Sequence, residues 1–182
     1  MSNFVLMTDS CCDLTAQMAE ELGIIVLPLH LLIGEETFAN YLDGREIGFK
    51  EFYDRVRGGA MPTTSAVSVG EYEAFFEKYT AEYDGVLLVN LGSGFSSSYQ
   101  IACLAAEDFP NVRAVDSRNL TTGQGLMVLK ACQLAETDAD LDTIKSKLDA
   151  YAEKIETSFL LDQLKYMVKG GRCSMVAALG AN

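Results

Sequence analysis

Positive charge is scarce in this chain. It carries 14 Lys and Arg against 26 Asp and Glu, a formal net charge of −12. Binding to a phosphate backbone depends on Lys and Arg clusters, so this balance disfavours a nucleic-acid partner. No apolar run reaches the ~18 residues needed to cross a bilayer, so no membrane insertion is expected. The opening residues enter a strand pattern at once, with no basic segment ahead of an apolar one, and no secretory signal is expected. The five cysteines, Cys11, Cys12, Cys103, Cys132 and Cys173, form no C-x-x-C pair and are odd in number. Cys11 and Cys12 are adjacent, a poor arrangement for chelation or a relaxed disulfide. Reduced thiols in a cytoplasmic protein without a metal are the expectation. Histidine is represented by His30 alone, and no G-x-S-x-G elbow occurs, so a Ser-His-Asp triad has little to build on. There is no tryptophan, no internal repeat and no low-complexity stretch.

What is present is a globular chain of 182 residues, 49% apolar, enough for one well-buried domain or one domain plus part of another. Its most informative stretch runs from Gly85 to Ala102. Val86-Leu87-Leu88-Val89 is a short β-branched run suited to a strand buried on both faces. Leu91-Gly92-Ser93-Gly94-Phe95-Ser96 follows, a loop of small residues that lets the backbone approach a ligand. Ser96, Ser97 and Ser98 are N-cap types, and Tyr99 to Leu104 reads as the start of a helix over 98–108. A strand, a small-residue loop and a helix start together present free N–H groups and a positive dipole end to an anion.

The rest alternates in kind. Strands are expected at Asn3–Thr8, at Ile24–Ile33 with a bend or edge at Pro28, at Arg113–Val115 and at Ser158–Leu161. Gly34-Glu35-Glu36 turns the second strand back on Thr37–Ala39 as a hairpin. Helices are expected from Asp13 to Leu22 with Gly23 closing it, over Phe49–Val56, from Val69 to Glu82, over Gly123–Leu134, over Asp140–Lys154 and over Leu164–Lys169. Ser68 and Glu71 form a capping box for the third of these, whose inner face carries Tyr72, Phe75, Phe76 and Tyr79. Met61–Ser68 is expected to be a loop. The alternation implies an α/β fold, a mostly parallel sheet with helices on both faces, and ligands in such sheets sit outside the carboxyl ends of the strands. Asp9-Ser10, Gly92–Ser98 and Asp116-Ser117 are the polar strand ends, and Thr63–Ser68 is a loop able to join them. From the residues alone, Ser96–Ser98 reads first as a helix cap, Asp9 and Asp116 as turn residues, and His30 as a structural residue without an acid nearby.

Several motifs fall in one order along the chain: Thr8-Asp9-Ser10 with Asp13-Leu14; Tyr41-Leu42-Asp43-Gly44; Thr64-Ser65 with Ser68; Ser93-Gly94-Phe95-Ser96 with Tyr99-Gln100; Asp116-Ser117 with Gly123-Gln124-Gly125; and Leu164-Lys165-Tyr166 with Lys169-Gly170-Gly171-Arg172. In this the chain resembles the DegV family of bacterial fatty-acid-binding proteins. The resemblance implies an N-terminal α/β domain that holds a fatty acid's carboxylate, a second domain that helps bury the acyl tail, and a separate fatty acid kinase subunit to which the bound acid is presented. It implies a lipid-presenting subunit without catalysis of its own or a cofactor. Thr64 and Ser96 are then the expected carboxylate donors, with Ser93 and Ser65 beside them. Asp9, Ser10, Gly94, Asp116 and Ser117 support them, and Arg172 is a candidate kinase-docking residue.

The pattern departs from the family's at three places. Thr64-Ser65-Ala66-Val67-Ser68 lacks the proline of the usual Thr-Ser-x-Pro-Ser, Ser96-Ser97-Ser98 replaces Ser-Gly-Thr, and Gly92 stands where serine is common. Family chains also run well beyond the Gly-Gly-Arg turn. Residues 1–157 are therefore expected to be the carboxylate-binding domain and 158–182 the start of a second domain or a connecting segment, most of the C-terminal domain being absent. Two readings of other classes stand beside the lipid carrier: a serine-dependent hydrolase or phosphotransferase using Ser96 or Ser93, and a regulatory module sensing a small anion.

Overall fold

The structure is a computed structural model, and residues 3–137, 139–160, 164–171 and 174 are described. In chain order the elements are β1 (Phe4–Asp9), α1 (Ala16–Glu21), β2 (Ile25–Leu27), β3 (Leu29–Ile33), β4 (Glu36–Asn40), α2 (Phe49–Arg57), β5 (Thr63–Ser65), α3 (Val69–Thr80), β6 (Gly85–Asn90), α4 (Ser98–Ala105), β7 (Val112–Asp116), α5 (Thr121–Ala135), α6 (Leu141–Ala152) and α7 (Lys165–Lys169). A short 3₁₀ turn over Ala106–Asp108 ends α4 before the expected boundary.

Four strands form a parallel sheet in the order β2-β1-β6-β7, and three form an antiparallel sheet in the order β4-β3-β5. Every residue of β6 is buried. Strand pleating sends alternate side chains to opposite faces. Val86 and Leu88 accordingly enter one apolar layer, with Tyr72 and Phe76 of α3 and Ala102 and Ala105 of α4. Leu87 and Val89 enter the other, with Met127 and Val128 of α5 and Ile144 and Leu148 of α6. Helices thus cover both faces, as the alternation of the sequence implies. Pro28 lies between β2 and β3, where the chain leaves the edge of the parallel sheet for the antiparallel one. Proline has no N–H to give to a ladder, so this is a position where it interrupts nothing.

The capping box of α3 forms as expected: Ser68 Oγ accepts from Glu71 N at 3.3 Å, and Glu71 Oε2 accepts from Ser68 N at 2.8 Å. Such a cap contributes about 1 kcal/mol. The first helix begins at Ala16 and not at Asp13, because Asp13 adopts φ 53°, outside helical space, and Thr15 supplies the cap to Met18 N. Gly23 closes it at φ 65°, a conformation that a residue with a Cβ resists.

Two expectations fail. Thr63–Ser65 is strand β5 and not loop, laddered onto β3 in register His30↔Ser65 and Leu31↔Thr64. Residues 158–160 form no strand. Phe159 and Leu160 are exposed, with no neighbouring strand among the described residues to satisfy their backbone. Leu161, Arg172, Cys173 and the residues after Ser174 lie outside the described residues, as does the docking role expected of Arg172. Cys11, Cys12, Cys103 and Cys132 are free thiols. Among the described residues no helix is long and apolar enough to cross a membrane.

Candidate functional site

The strand order places β1 beside β6, with β2 outside one and β7 outside the other. The chain thus leaves β1 and β6 in opposite directions across the sheet, which opens a crevice between their carboxyl ends. Asp9 ends β1 there and is fully buried. Its Oδ2 accepts from Leu91 N at 2.6 Å; its Oδ1 accepts from Gln124 Nε2 at 2.9 Å and from Cys11 N at 3.0 Å. Burial pushes its carboxyl above the ordinary value, and the N–H donors of Leu91, Gln124 and Cys11 pull the other way without prevailing. This carboxylate ties together the loops after β1 and β6 and the first turns of α5.

Asp116 ends β7 and holds the same loop from the other side. Its Oδ1 accepts from Ser93 N at 2.9 Å and its Oδ2 from Ser93 Oγ at 2.5 Å. Ser93 therefore gives its proton to Asp116. Ser96 Oγ lies 2.9 Å from Ser98 Oγ and accepts from Ser98 N at 3.2 Å, so it caps part of the first turn of α4. Ser97, the residue before that helix, adds no side-chain cap. The first N–H groups of a helix have no intrahelical partner, and at this end they carry the positive dipole. Gly94 is exposed, with open space around it. Ser10 Oγ accepts from Leu29 N at 3.0 Å and from Asn40 Nδ2 at 3.2 Å, which joins the two sheets. Ser117 Oγ donates to Asn119 O at 2.8 Å.

Gly92 has a stated reason to be glycine. A Cβ there would lie 2.7 Å from the backbone of Arg118 and Asn119, and Gly92 N donates to Asn119 O at 2.8 Å. Backbone cannot yield as a flexible side chain does. Gly92→Ala is expected to push the loop off its seat and destabilise by about 1–3 kcal/mol. Gly94→Ala, in open space, should stay within about 0.5 kcal/mol of the parent in urea unfolding. Equal effects from the two substitutions would remove the packing argument.

Thr64 and Ser65 are exposed on β5, and among the described residues neither hydroxyl makes a hydrogen bond. Thr64 stands opposite Leu31 and Ser65 opposite His30, so pleating directs the two side chains to opposite faces. Thr64 lines a cavity of about 270 Å³ between β3 and α2, whose walls include Leu29, Leu31, Phe49, Phe52 and Tyr53. Cys11 lines it too. Burial, with Asp9 nearby, pushes its thiol up to about 12, which favours the protonated form. A larger groove of about 540 Å³ along α1, β2 and residues 40–45 is lined by none of the expected site residues.

His30 is where sequence reasoning missed a connection. Its Nε2 donates to Glu71 Oε1 at 2.7 Å, an acid 41 positions away that no local signal marks. The Ser68 hydroxyl, the Ser68 N–H and His30 together hold the Glu71 carboxyl below its usual range. Neither Ser93 nor Ser96 is hydrogen-bonded to an imidazole. Among the described residues no group of three or more His, Cys, Asp or Glu is placed to hold a metal ion.

Comparisons with known proteins agree on one family. The family model described as "Uncharacterised protein, DegV family" matches residues 3–181. A DegV domain-containing protein of Clostridium perfringens is 33% identical over 182 residues, which cover 98% of this chain and 64% of that protein. The crystal structure of DegV, a fatty acid binding protein from Bacillus subtilis, superposes with a TM-score of 0.86 at 29% identity, covering 100% of this chain and 65% of that one. A stearic acid-binding protein from Eubacterium ventriosum superposes with a TM-score of 0.81 at 28% identity, covering 99% and 63%. The chain therefore spans a little under two thirds of the length of these relatives. With its motifs in order, its fold shared with the DegV structures and the family model running over residues 3–181, this chain belongs to the DegV family.

Proposed function

We propose that this chain binds a long-chain fatty acid and holds its carboxylate at the crevice between β1 and β6. The observation that carries the reading is the loop Leu91–Ser97, fastened from below by Asp9 and Asp116 so that Ser96 and the open end of α4 stand at the sheet edge. The relatives' fatty-acid binding supplies the ligand class. Thr64 and Ser96 are the donors. Ser93, whose proton goes to Asp116, positions the loop, and Ser65, whose side chain lies on the face of β5 opposite to that of Thr64, is not a donor to the same headgroup. A carboxylate accepts several hydrogen bonds, and hydroxyl and backbone N–H donors satisfy it without a full counter-charge. A headgroup held by neutral donors keeps its own charge and remains a nucleophile toward a phosphoryl donor, which suits presentation to a separate fatty acid kinase.

The acyl tail needs apolar cover. Leu126 of α5, Phe95 of the loop and Phe159 and Leu160 after α6 are all exposed. The segments that carry them are joined at Asn119, whose O accepts from Gly92 N at 2.8 Å and whose Oδ1 accepts from Thr157 Oγ1 at 2.8 Å. In this reading residues 1–157 carry the headgroup site and 158–182 begin the part that covers the tail. The chain acts as a carrier without catalysis of its own, and its free thiols suit a cytoplasmic setting.

Native and denaturing mass spectrometry of the purified chain tests this. The expected result is a co-purifying or added palmitate that stays bound in the native spectrum at one per chain and is released on denaturation. Absence of any acyl adduct at saturating palmitate, with hydrolysis of acyl esters instead, would replace the carrier with a hydrolase.

A further inference from the structure

We propose that His30 is a positioning residue for the headgroup donors, acting through Glu71 to hold strand β5 in place. The inference rests on the fatty-acid reading of the site.

Strand β5 is three residues long, lies at the edge of its sheet, and is exposed along its length. Three residues of ladder on one side are little to define the place of Thr64. The link to α3 is also short, Ala66-Val67-Ser68. Its Val67 is buried.

Stiffness is supplied from outside the link. Glu71 uses its two oxygens differently: Oε2 accepts from Ser68 N at 2.8 Å and from Ser68 Oγ at 2.6 Å, while Oε1 accepts from His30 Nε2 at 2.7 Å. His30 in turn faces Ser65 across the β3–β5 ladder. A closed ring results. It runs from His30 across the ladder to Ser65, along the link to Ser68, through the capping box to Glu71, and back to His30. Removing the His30–Glu71 bond opens that ring and leaves β5 fastened along one edge only. The imidazole also gives the Glu71 carboxylate a donor from β3, so this charge faces a partner near a site meant for another carboxylate.

A single half-buried side-chain hydrogen bond of this kind contributes only about 1 kcal/mol to global stability. The test therefore reads position and binding. His30→Leu removes the donor; His30→Gln keeps an N–H within reach of Glu71. Amide hydrogen exchange over residues 63–65 and palmitate affinity by titration calorimetry are measured for the parent chain and both variants. In His30→Leu, exchange over 63–65 should quicken and palmitate affinity should fall, each about tenfold, with β1 and β6 amides unchanged. His30→Gln should recover both to within about threefold of the parent. Unchanged exchange and affinity in His30→Leu would overturn the proposal. So would a His30→Gln variant as impaired as His30→Leu, since ring packing and not donation would then be at work. If the parent chain itself binds no palmitate, the fatty-acid reading fails, and the exchange arm still judges the clamp.

Discussion

Thr64→Ala combined with Ser96→Ala is expected to reduce palmitate affinity at least about 100-fold. A hydrogen bond to a charged group contributes about 1.5–3 kcal/mol, so two lost donors amount to about 3–6 kcal/mol, and every ~1.4 kcal/mol is tenfold in affinity. Each single variant should lose about tenfold or more, and the two losses are coupled through the carboxylate that both hydroxyls serve. The fold should tolerate the change. Thr64 is exposed and makes no side-chain hydrogen bond among the described residues, and the bonds of Ser96 stay within its own helix start. Titration calorimetry beside a thermal melt separates the two quantities. A double variant that binds palmitate as the parent does removes these residues from the headgroup site. A double variant that fails to bind but also melts early points to a lost fold.

Asp9→Ala is expected to have the larger effect on stability. Truncation leaves Leu91 N, Cys11 N and Gln124 Nε2 without their acceptor at a buried strand end. A buried donor left unsatisfied costs about 1–3 kcal/mol, while loss of the desolvated charge returns part of that, so a net cost near 3 kcal/mol is expected. For a domain of this size that is a fall in Tm of roughly 6–12 °C. Asp9→Asn should fall between, since its amide oxygen still accepts but its NH₂ meets an N–H. The pH dependence has a sign unlike that of most carboxylates. Burial raises the folded-state pKa of Asp9 above its unfolded value. The folded chain therefore binds this proton more tightly, and Asp9's contribution declines as pH rises from its ordinary value through the raised one. The stability gap between parent and Asp9→Ala should narrow across that window. Urea unfolding of both chains at several pH values measures it, and a gap that widens with pH would contradict the burial argument.

These expectations draw on features that differ in how far sequence reveals them. The tightly apolar β6, the small-residue loop and the serines before α4 were legible because each is a local pattern: strand burial, glycine spacing and cap chemistry all act within a few residues. The polar strand ends at Asp9, Ser93 and Asp116 were legible as candidates, but their roles were not. From sequence Asp9 looks like a turn residue, and only the packing of α5 shows it accepting from Gln124, 115 positions away. Gly92 departs from the resembled pattern for a reason invisible in the chain, the backbone of Arg118 and Asn119 pressed against it.

The sequence by itself determined the alternation of strands and helices, the two-faced burial of the parallel sheet, the capping box of α3 and the serine-rich loop at a strand end, all of which follow from periodicity and local hydrogen bonding. Only the tertiary structure decided that Thr63–Ser65 is a strand, that His30 and Glu71 meet, and that residues 158–160 pair with no strand among the described residues. A three-residue strand has too little pattern of its own to be recognised. It exists because β3, more than 30 positions earlier, offers a free edge to pair with, and that edge is created by folding.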